Sequence, residues 1–174
     1  LANLLEWSMI QRDPIQFSPK EYDFAAILQK NIKTLEQQAE IKEISIVYSG
    51  DTEIRVFIDY HMMNTVIRNI LSNAIKYTPH KGRIEITVNT NNNHFIEITV
   101  KDTGIGMDET TLKNIFRIDS MVSTPGTNGE TGSGLGLILC KEYVTRHNGH
   151  IWIESEINKG TSVHITIPVS ASHG

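Results

Sequence analysis

Apolar residues recur along this chain at two periods, and the places where one period gives way to the other mark its elements. In residues 94–101, Ile96, Ile98 and Val100 share one face while Glu97, Thr99 and Lys101 share the other, the alternation of a half-buried strand. Ile54, Val56 and Ile58 repeat that phase, and further strands are expected near 15–18, 43–48, 83–89, 150–155 and 162–168. The polar turn Asn91-Asn92-Asn93 separates the two central ones. The helical period appears where Phe24, Leu28, Leu35 and Ala39 align behind a capping Asp23. It returns over about 60–78, where Met63, Val66, Ile67, Ile70, Leu71 and Ala74 form an apolar stripe that stops before Pro79. A short helix is expected near 109–115, and another runs from Gly132 to the Asn148-Gly149 stop. Residues 1–12 set Leu1, Leu4, Leu5 and Ser8 at helical spacing, closed by Pro14. The sum is an α+β two-layer sandwich, a mixed sheet with helices stacked on one face.

Three groups of residues do not fit this apolar bookkeeping. Beside the stripe of the 60–78 helix lie Asn69, Asn73, Lys76 and Tyr77, on one side of the helix. Asparagine is a poorer helix former than Glu, Lys or Gln, so two of them one turn apart suggest a ligand in place of solvent. An amide oxygen is a neutral hard donor suited to Mg²⁺, Lys76 can neutralise a phosphate, and Tyr77 can cover a nucleotide. A solvated polar face is the plainer alternative.

Asp102 continues the buried phase of its strand, so its carboxylate points to the core side and needs a partner there. The turn Thr103-Gly104-Ile105-Gly106-Met107 follows, and its glycines let a flat ligand approach the backbone. A carboxylate so placed can accept from the exocyclic amine of adenine, which guanine lacks at that position; a structural Asp in a tight turn is the alternative. Third, Gly132, Ser133, Gly134, Leu135, Gly136 and Leu137 open a helix, where bare N–H groups make an anion site. Taken alone, a glycine-rich turn is equally compatible with a purely structural role. Neither GxGxxG nor GxxxxGK[ST] is present, which excludes the Rossmann and P-loop readings. Between Phe116 and Gly132 the chain is too polar for core, as expected of a lid over a nucleotide or of simple disorder.

Composition narrows the partners. At 174 residues, 39% hydrophobic and 21% charged, the chain is an ordinary globular one with one main domain. A net charge of −4 supplies no basic field for nucleic acid or an anionic membrane surface. The single cysteine, Cys140, excludes an internal disulfide, fits a reducing compartment and reads as a small core residue. No apolar run approaches about 18 residues and no signal-peptide pattern opens the chain. Its start at Leu1, without Met and inside a helical pattern, is expected of a piece of a longer protein.

In this order and spacing, the three groups resemble the catalytic ATP-binding domain of a bacterial sensor histidine kinase. That domain belongs to the Bergerat-fold ATPases, with type II topoisomerases, heat-shock chaperones and mismatch-repair ATPases. Asn69 through Tyr77 resembles the family's N box, Asp102 through Gly106 its first glycine box, and Phe116 its F-box phenylalanine. Gly132 through Gly136 resembles the second glycine box and Gly160-Thr161 the last. Ser123 through Tyr143 is similar to sensor kinases of Bacteroidetes type, many of them hybrids.

The resemblance implies ATP and Mg²⁺, with Asn73 as the main metal ligand and Asn69 assisting. It implies Lys76 and Tyr77 at the phosphates or ribose, Asp102 at adenine, and Arg117 reaching the γ-phosphate. The glycine boxes, from Gly104 through Met107 and Gly132 through Leu137, together with Phe116 and Thr161, would complete the nucleotide site. Residues 1–14 would be the end of a dimerisation helix and 15–174 the catalytic domain, with a lid at about 117–132. The implied partners are its own dimerisation and histidine-phosphotransfer domain, the receiver domain of a response regulator and, in the full-length homodimer, a second copy. The setting would be cytoplasmic, with the parent protein anchored in the inner membrane. Hydrolysing relatives carry Glu, a general base, where Asn69 stands, so this site is expected to hold ATP without efficient hydrolysis. The seven histidines (61, 80, 94, 147, 150, 164, 173) lie outside the acceptor context and are expected at the surface or in turns. Two rivals stay open: a serine kinase of the anti-sigma-factor type and a degenerate module that only docks partners.

Overall fold

The computed structural model describes Leu5, Ser8 and residues 16–91, 94–120 and 123–169. Leu5 and Ser8 are helical; the rest of the helix expected over 1–12 lies outside the described residues, as do Asn92, Asn93 and His173. The elements run β1 (Lys20–Asp23), α1 (Phe24–Ile41), β2 (Ser45–Ser49), β3 (Arg55–Ile58), α2 (Tyr60–Tyr77), β4 (Arg83–Asn91) and β5 (Phe95–Asp102). Then come α3 (Glu109–Asn114), a 3-10 turn at Ile118–Ser120, α4 (Gly136–Arg146), β6 (His150–Glu156) and β7 (Gly160–Pro168).

Five strands form one sheet in the order β2-β4-β5-β7-β6, in which only β2 and β4 run parallel. α1, α2 and α4 cover one face of it. Phe24 and Leu28 of α1, Met63, Val66, Ile67 and Ile70 of α2, and Leu139 and Val144 of α4 are all buried. They meet Ile84 and Ile86 of β4, Ile96 and Ile98 of β5, and Ile165 and Ile167 of β7 in one core. Each such side chain contributes about 1.5–3 kcal/mol on leaving water. The α+β two-layer sandwich read from the periodicity is the architecture present.

The helices start on side-chain caps. Asp23 accepts from the Ala25 N–H at 3.1 Å and Asp59 from the Met62 N–H at 3.1 Å, each satisfying a first-turn amide. α2 ends at Tyr77 because Pro79 forces Thr78 into extended backbone.

Three expectations shift. The first strand lies at Lys20–Asp23, not 15–18: Pro19 has no N–H to extend the ladder, and the Ser18 N–H instead donates to Asp59 at 3.0 Å. β3 pairs with β1 in a separate two-stranded sheet, because alternation reveals a buried face but not the neighbouring strand. His147 is buried, not superficial. Its Nε2 accepts from the Asp59 N–H at 3.0 Å and its Nδ1 bonds the Tyr143 carbonyl at 2.7 Å, so it is held neutral. Burial lowers its pKa, outweighing the opposing pull of the Tyr143 carbonyl.

Candidate functional site

The side of α2 next to its buried stripe forms one wall of a cavity of about 370 Å³, within the range of small-molecule sites. Asn69, Ser72, Asn73, Lys76 and Tyr77 all line it. The Asn69 amide donates to the Thr65 carbonyl one turn back at 3.0 Å, which fixes the plane of its carboxamide. The Asn73 side chain has no hydrogen-bond partner among the described residues. The Lys76 ammonium stands 4.9 Å from the centre of the Tyr77 ring. Gly132 packs against that ammonium so closely that a Cβ there would come within 2.7 Å of Nζ. The phosphate-type residues of helix and loop therefore converge.

The floor is the end of the sheet. Asp102 sits directly opposite Thr161 on β7, and Thr161 opposite Ser155 on β6, which makes a row across three strands. Val100, Ile153 and Val163, one step back along the same strands, supply an apolar surface. Asp102 Oδ1 accepts from the Gly104 N–H at 2.8 Å and the Thr161 N–H at 3.2 Å. That leaves Oδ2 to carry acceptor capacity toward the cavity. Burial pushes the Asp102 carboxyl up to about 6, against the two backbone donors, which pull it down. Gly160, at φ +99°, has no room for a Cβ beside the Asp102 carbonyl, and Gly106, at φ +67°, has none beside the Glu156 carbonyl. Those two glycines let the first glycine turn close onto the β6–β7 hairpin.

The remaining wall comes from α3 and the segment before α4. Thr110, Thr111, Asn114, Arg117, Ser123, Thr124 and Gly132 through Gly134 face the cavity. Arg117 pairs with Asp119 at 2.7 Å, both exposed. The first amides of α4 have no intrahelical acceptor, and Gly136 and Leu137 bring that helix start to the cavity. Tyr77 donates its hydroxyl to the Thr124 carbonyl at 3.1 Å.

Of the residues expected at the site, Gly104, Phe116 and Leu135 do not line the wall. Gly104 reaches it through the Asp102 carboxylate, Leu135 is buried beneath the helix start, and the Phe116 ring lies under the Lys141 ammonium at 5.2 Å. Periodicity alone passes over Val100, Ile153 and Val163, because a strand residue facing a ligand looks the same as one facing the core. Ser155 is missed for another reason: a lone serine in a strand carries no signal until the register places it beside Thr161.

Residues 58–171 match the family described as histidine kinase-, DNA gyrase B-, and HSP90-like ATPase. The adaptive-response sensory kinase SasA of Prochlorococcus marinus is 34% identical over 158 residues, 88% of this chain and 41% of that protein. SasA of Synechococcus elongatus is 29% identical over 170 residues, 97% of this chain and 43% of that protein. The chain thus spans about two fifths of the length of these curated relatives. Among solved structures, the catalytic domain of the histidine kinase ThkA superposes with a TM-score of 0.75 at 25% identity, over 87% of this chain and 95% of that one. ThkA in complex with the response regulator protein TrrA gives 0.80 at 20% identity, over 99% and 48%. With the family model matched over 58–171, well over half of its length, the chain belongs to the histidine kinase-, DNA gyrase B-, and HSP90-like ATPase family.

Proposed function

We propose that this chain is the ATP-binding catalytic domain of a sensor histidine kinase. In this reading it holds Mg·ATP and delivers the γ-phosphoryl to a histidine on a dimerisation domain, for relay to a response-regulator receiver domain. The observation that carries it is the polarity of the cavity of about 370 Å³ beside α2. One end has an acceptor carboxylate over an apolar floor, fit for adenine, and the other has a lysine and a glycine-rich helix start, fit for phosphates. The relatives named as sensory kinases and the ThkA structure with a response regulator support the choice of acceptor and partner. Residues 1–14 would continue from the dimerisation helix, the parent would act as a homodimer, and the site would work in the cytoplasm.

Each side chain then has a task. Asp102 Oδ2 accepts the 6-amino proton of adenine while Val100, Ile153 and Val163 bury its face. Lys76 neutralises phosphate charge, and Tyr77 shields the ribose side. The donor set at the helix wall fits Mg²⁺, since the Asn73 carboxamide has no described partner and Asn69 is anchored one turn away, so these two would hold it. When bound, the metal screens the charge between the phosphates. Arg117, paired with Asp119 at the surface where solvent screens the attraction, can leave Asp119 for the γ-phosphate. In the transfer, an imidazole nitrogen of the acceptor histidine attacks the γ-phosphorus, the bond to the bridging oxygen breaks, and ADP departs. Asn69 cannot take a proton from water, so the positioned phosphoryl waits for the imidazole.

Calorimetric titration tests this. Mg·ATP is expected to bind at least about tenfold more tightly than Mg·GTP. Asn73→Ala should weaken Mg·ATP by a similar factor yet barely alter ATP in the presence of a chelator. Equal curves for the two nucleotides would remove the adenine assignment, and equal losses with and without metal would remove the role of Asn73.

A further inference from the structure

Ser155 does not line the cavity, yet it makes three hydrogen bonds at the end of the row that holds Asp102 and Thr161. Its Oγ lies 3.0 Å from the Gly160 carbonyl, 2.9 Å from the Met107 N–H and 2.9 Å from Thr161 Oγ1. A hydroxyl has one proton and two lone pairs, so these contacts can be balanced. A carbonyl oxygen only accepts, which commits the Ser155 proton to Gly160. The Met107 amide only donates, which takes one Ser155 lone pair. The contact that remains has one solution: Thr161 donates its hydroxyl proton to Ser155. Thr161 does line the cavity, and with its proton spent it faces that cavity as an acceptor alone.

We propose that Ser155 is a positioning residue for purine choice, acting through Thr161. By consuming the Thr161 proton it makes the base-reading edge, Asp102 Oδ2 together with Thr161 Oγ1, entirely accepting. At the 6-substituent such an edge suits an amino group and opposes an oxo group, whose carbonyl would meet lone pairs. A threonine hydroxyl without this tether could rotate and donate to the 6-oxo group, relaxing the choice. Asp102 offers the 6-position only lone pairs, and Ser155 keeps the Thr161 hydroxyl from donating there. This inference rests on the reading that the cavity binds adenine.

The plain alternative is that Ser155 merely staples the Met107 turn to the β6–β7 hairpin, and a staple would weaken every nucleotide alike. The test is titration of the chain with ATP and with inosine triphosphate, whose base carries oxygen at position 6. The wild-type chain should prefer ATP by at least about tenfold. Ser155→Ala should cut that ratio at least about fivefold, chiefly by improving the inosine nucleotide, and Ser155→Thr, which keeps the hydroxyl, should restore it. Thr161→Val should lower the ratio on its own, and adding Ser155→Ala to it should change the ratio no further, since Ser155 acts through that hydroxyl. An unchanged ratio in Ser155→Ala, with both nucleotides weakened equally, overturns the proposal while leaving the adenine reading intact. A wild-type ratio in Thr161→Val overturns it even if Ser155→Ala fails to fold. Equal binding of both nucleotides by the wild-type chain overturns the adenine reading and this inference together.

Discussion

Asp102 is buried where a carboxylate is expensive, and its burial has a calculable consequence. A folded-state value of about 6 against an ordinary 3.8 means that ionised Asp102 opposes folding by about 3 kcal/mol at neutral pH. The sign follows from proton binding: the folded chain takes up the proton more readily, so the penalty is full above pH 6 and fades as pH falls toward 3.8. Asp102→Asn keeps an Oδ1 acceptor for the Gly104 and Thr161 amides and removes the charge. It is therefore expected to raise the thermal midpoint at pH 7.5 by roughly 6–12 °C, while ATP affinity falls at least about tenfold. ATP binding to the wild-type chain should also weaken about tenfold between pH 7 and pH 5 as Asp102 protonates, beyond any slope shared with the variant. Scanning calorimetry and titration at the two pH values check both, and a variant less stable than wild type would refute the account. The charge is thus kept against stability, as expected of a binding group. Asp102 was legible in the sequence because a lone carboxylate in an apolar phase demands a partner. His147 was not: at a helix end there is no phase to read, and its partner Asp59 lies 88 residues away.

At the scale of elements, the segment between α3 and α4 is tied down through part of its length. The Thr127 N–H donates to the Lys76 carbonyl at 3.0 Å and the Gly129 N–H to the Gly126 carbonyl at 3.0 Å. Lys42, buried just past the end of α1, donates to the Ile75 carbonyl at 2.9 Å and to Thr127 Oγ1 at 2.6 Å, and it pairs with Glu130 at 2.9 Å. One ammonium therefore serves the last carbonyls of α2, where the helix dipole is negative, and straps the loop to them. If this segment is a lid, residues 118–120 and 123–125 are the described part that the strap does not hold. Hydrogen exchange should find the Thr127 and Gly129 amides already slow without nucleotide, with nucleotide slowing chiefly those of residues 118–120 and 123–125. Lys42→Met leaves the Ile75 carbonyl without its donor and releases the half-exposed Glu130 to solvent. It should destabilise the domain by about 1–3 kcal/mol and make both strapped amides exchange freely. Unchanged protection at Thr127 would show that the strap does not depend on Lys42. The order and type of the elements could be read from periodicity because each buries a face on its neighbours. The strap could not, since its two ends, Lys42 and Glu130, look like ordinary surface charges in a linear sequence. The same limit explains β3, whose apolar phase was right and whose partner strand was not foreseen.

At the scale of the molecule, the proposed site joins a base-reading sheet end to a phosphate-reading helix pair, and what it lacks is a nucleophile. Of the described histidines, His147 is buried with both ring nitrogens engaged, and His164 is stacked on Trp152 with ring centres 4.9 Å apart and bonded to Glu154 at 3.1 Å. His61 is exposed on α2, but none of the described histidines lines the cavity. A carboxamide such as that of Asn69 cannot take a proton from water as a carboxylate could, so the proposed site has no base at that place. The chain alone is therefore expected to bind ATP, to take up no label from γ-labelled ATP and to turn it over negligibly. Supplying the parent protein's dimerisation domain as a separate chain should bring transfer back, because the phosphoryl is already positioned and only the imidazole is missing. The labelled product should be lost in acid and survive base, as a phosphoramidate does and a phosphoserine does not. Label on the isolated chain, or an acid-stable product in the mixture, would reverse the assignment in favour of a serine kinase on the same fold.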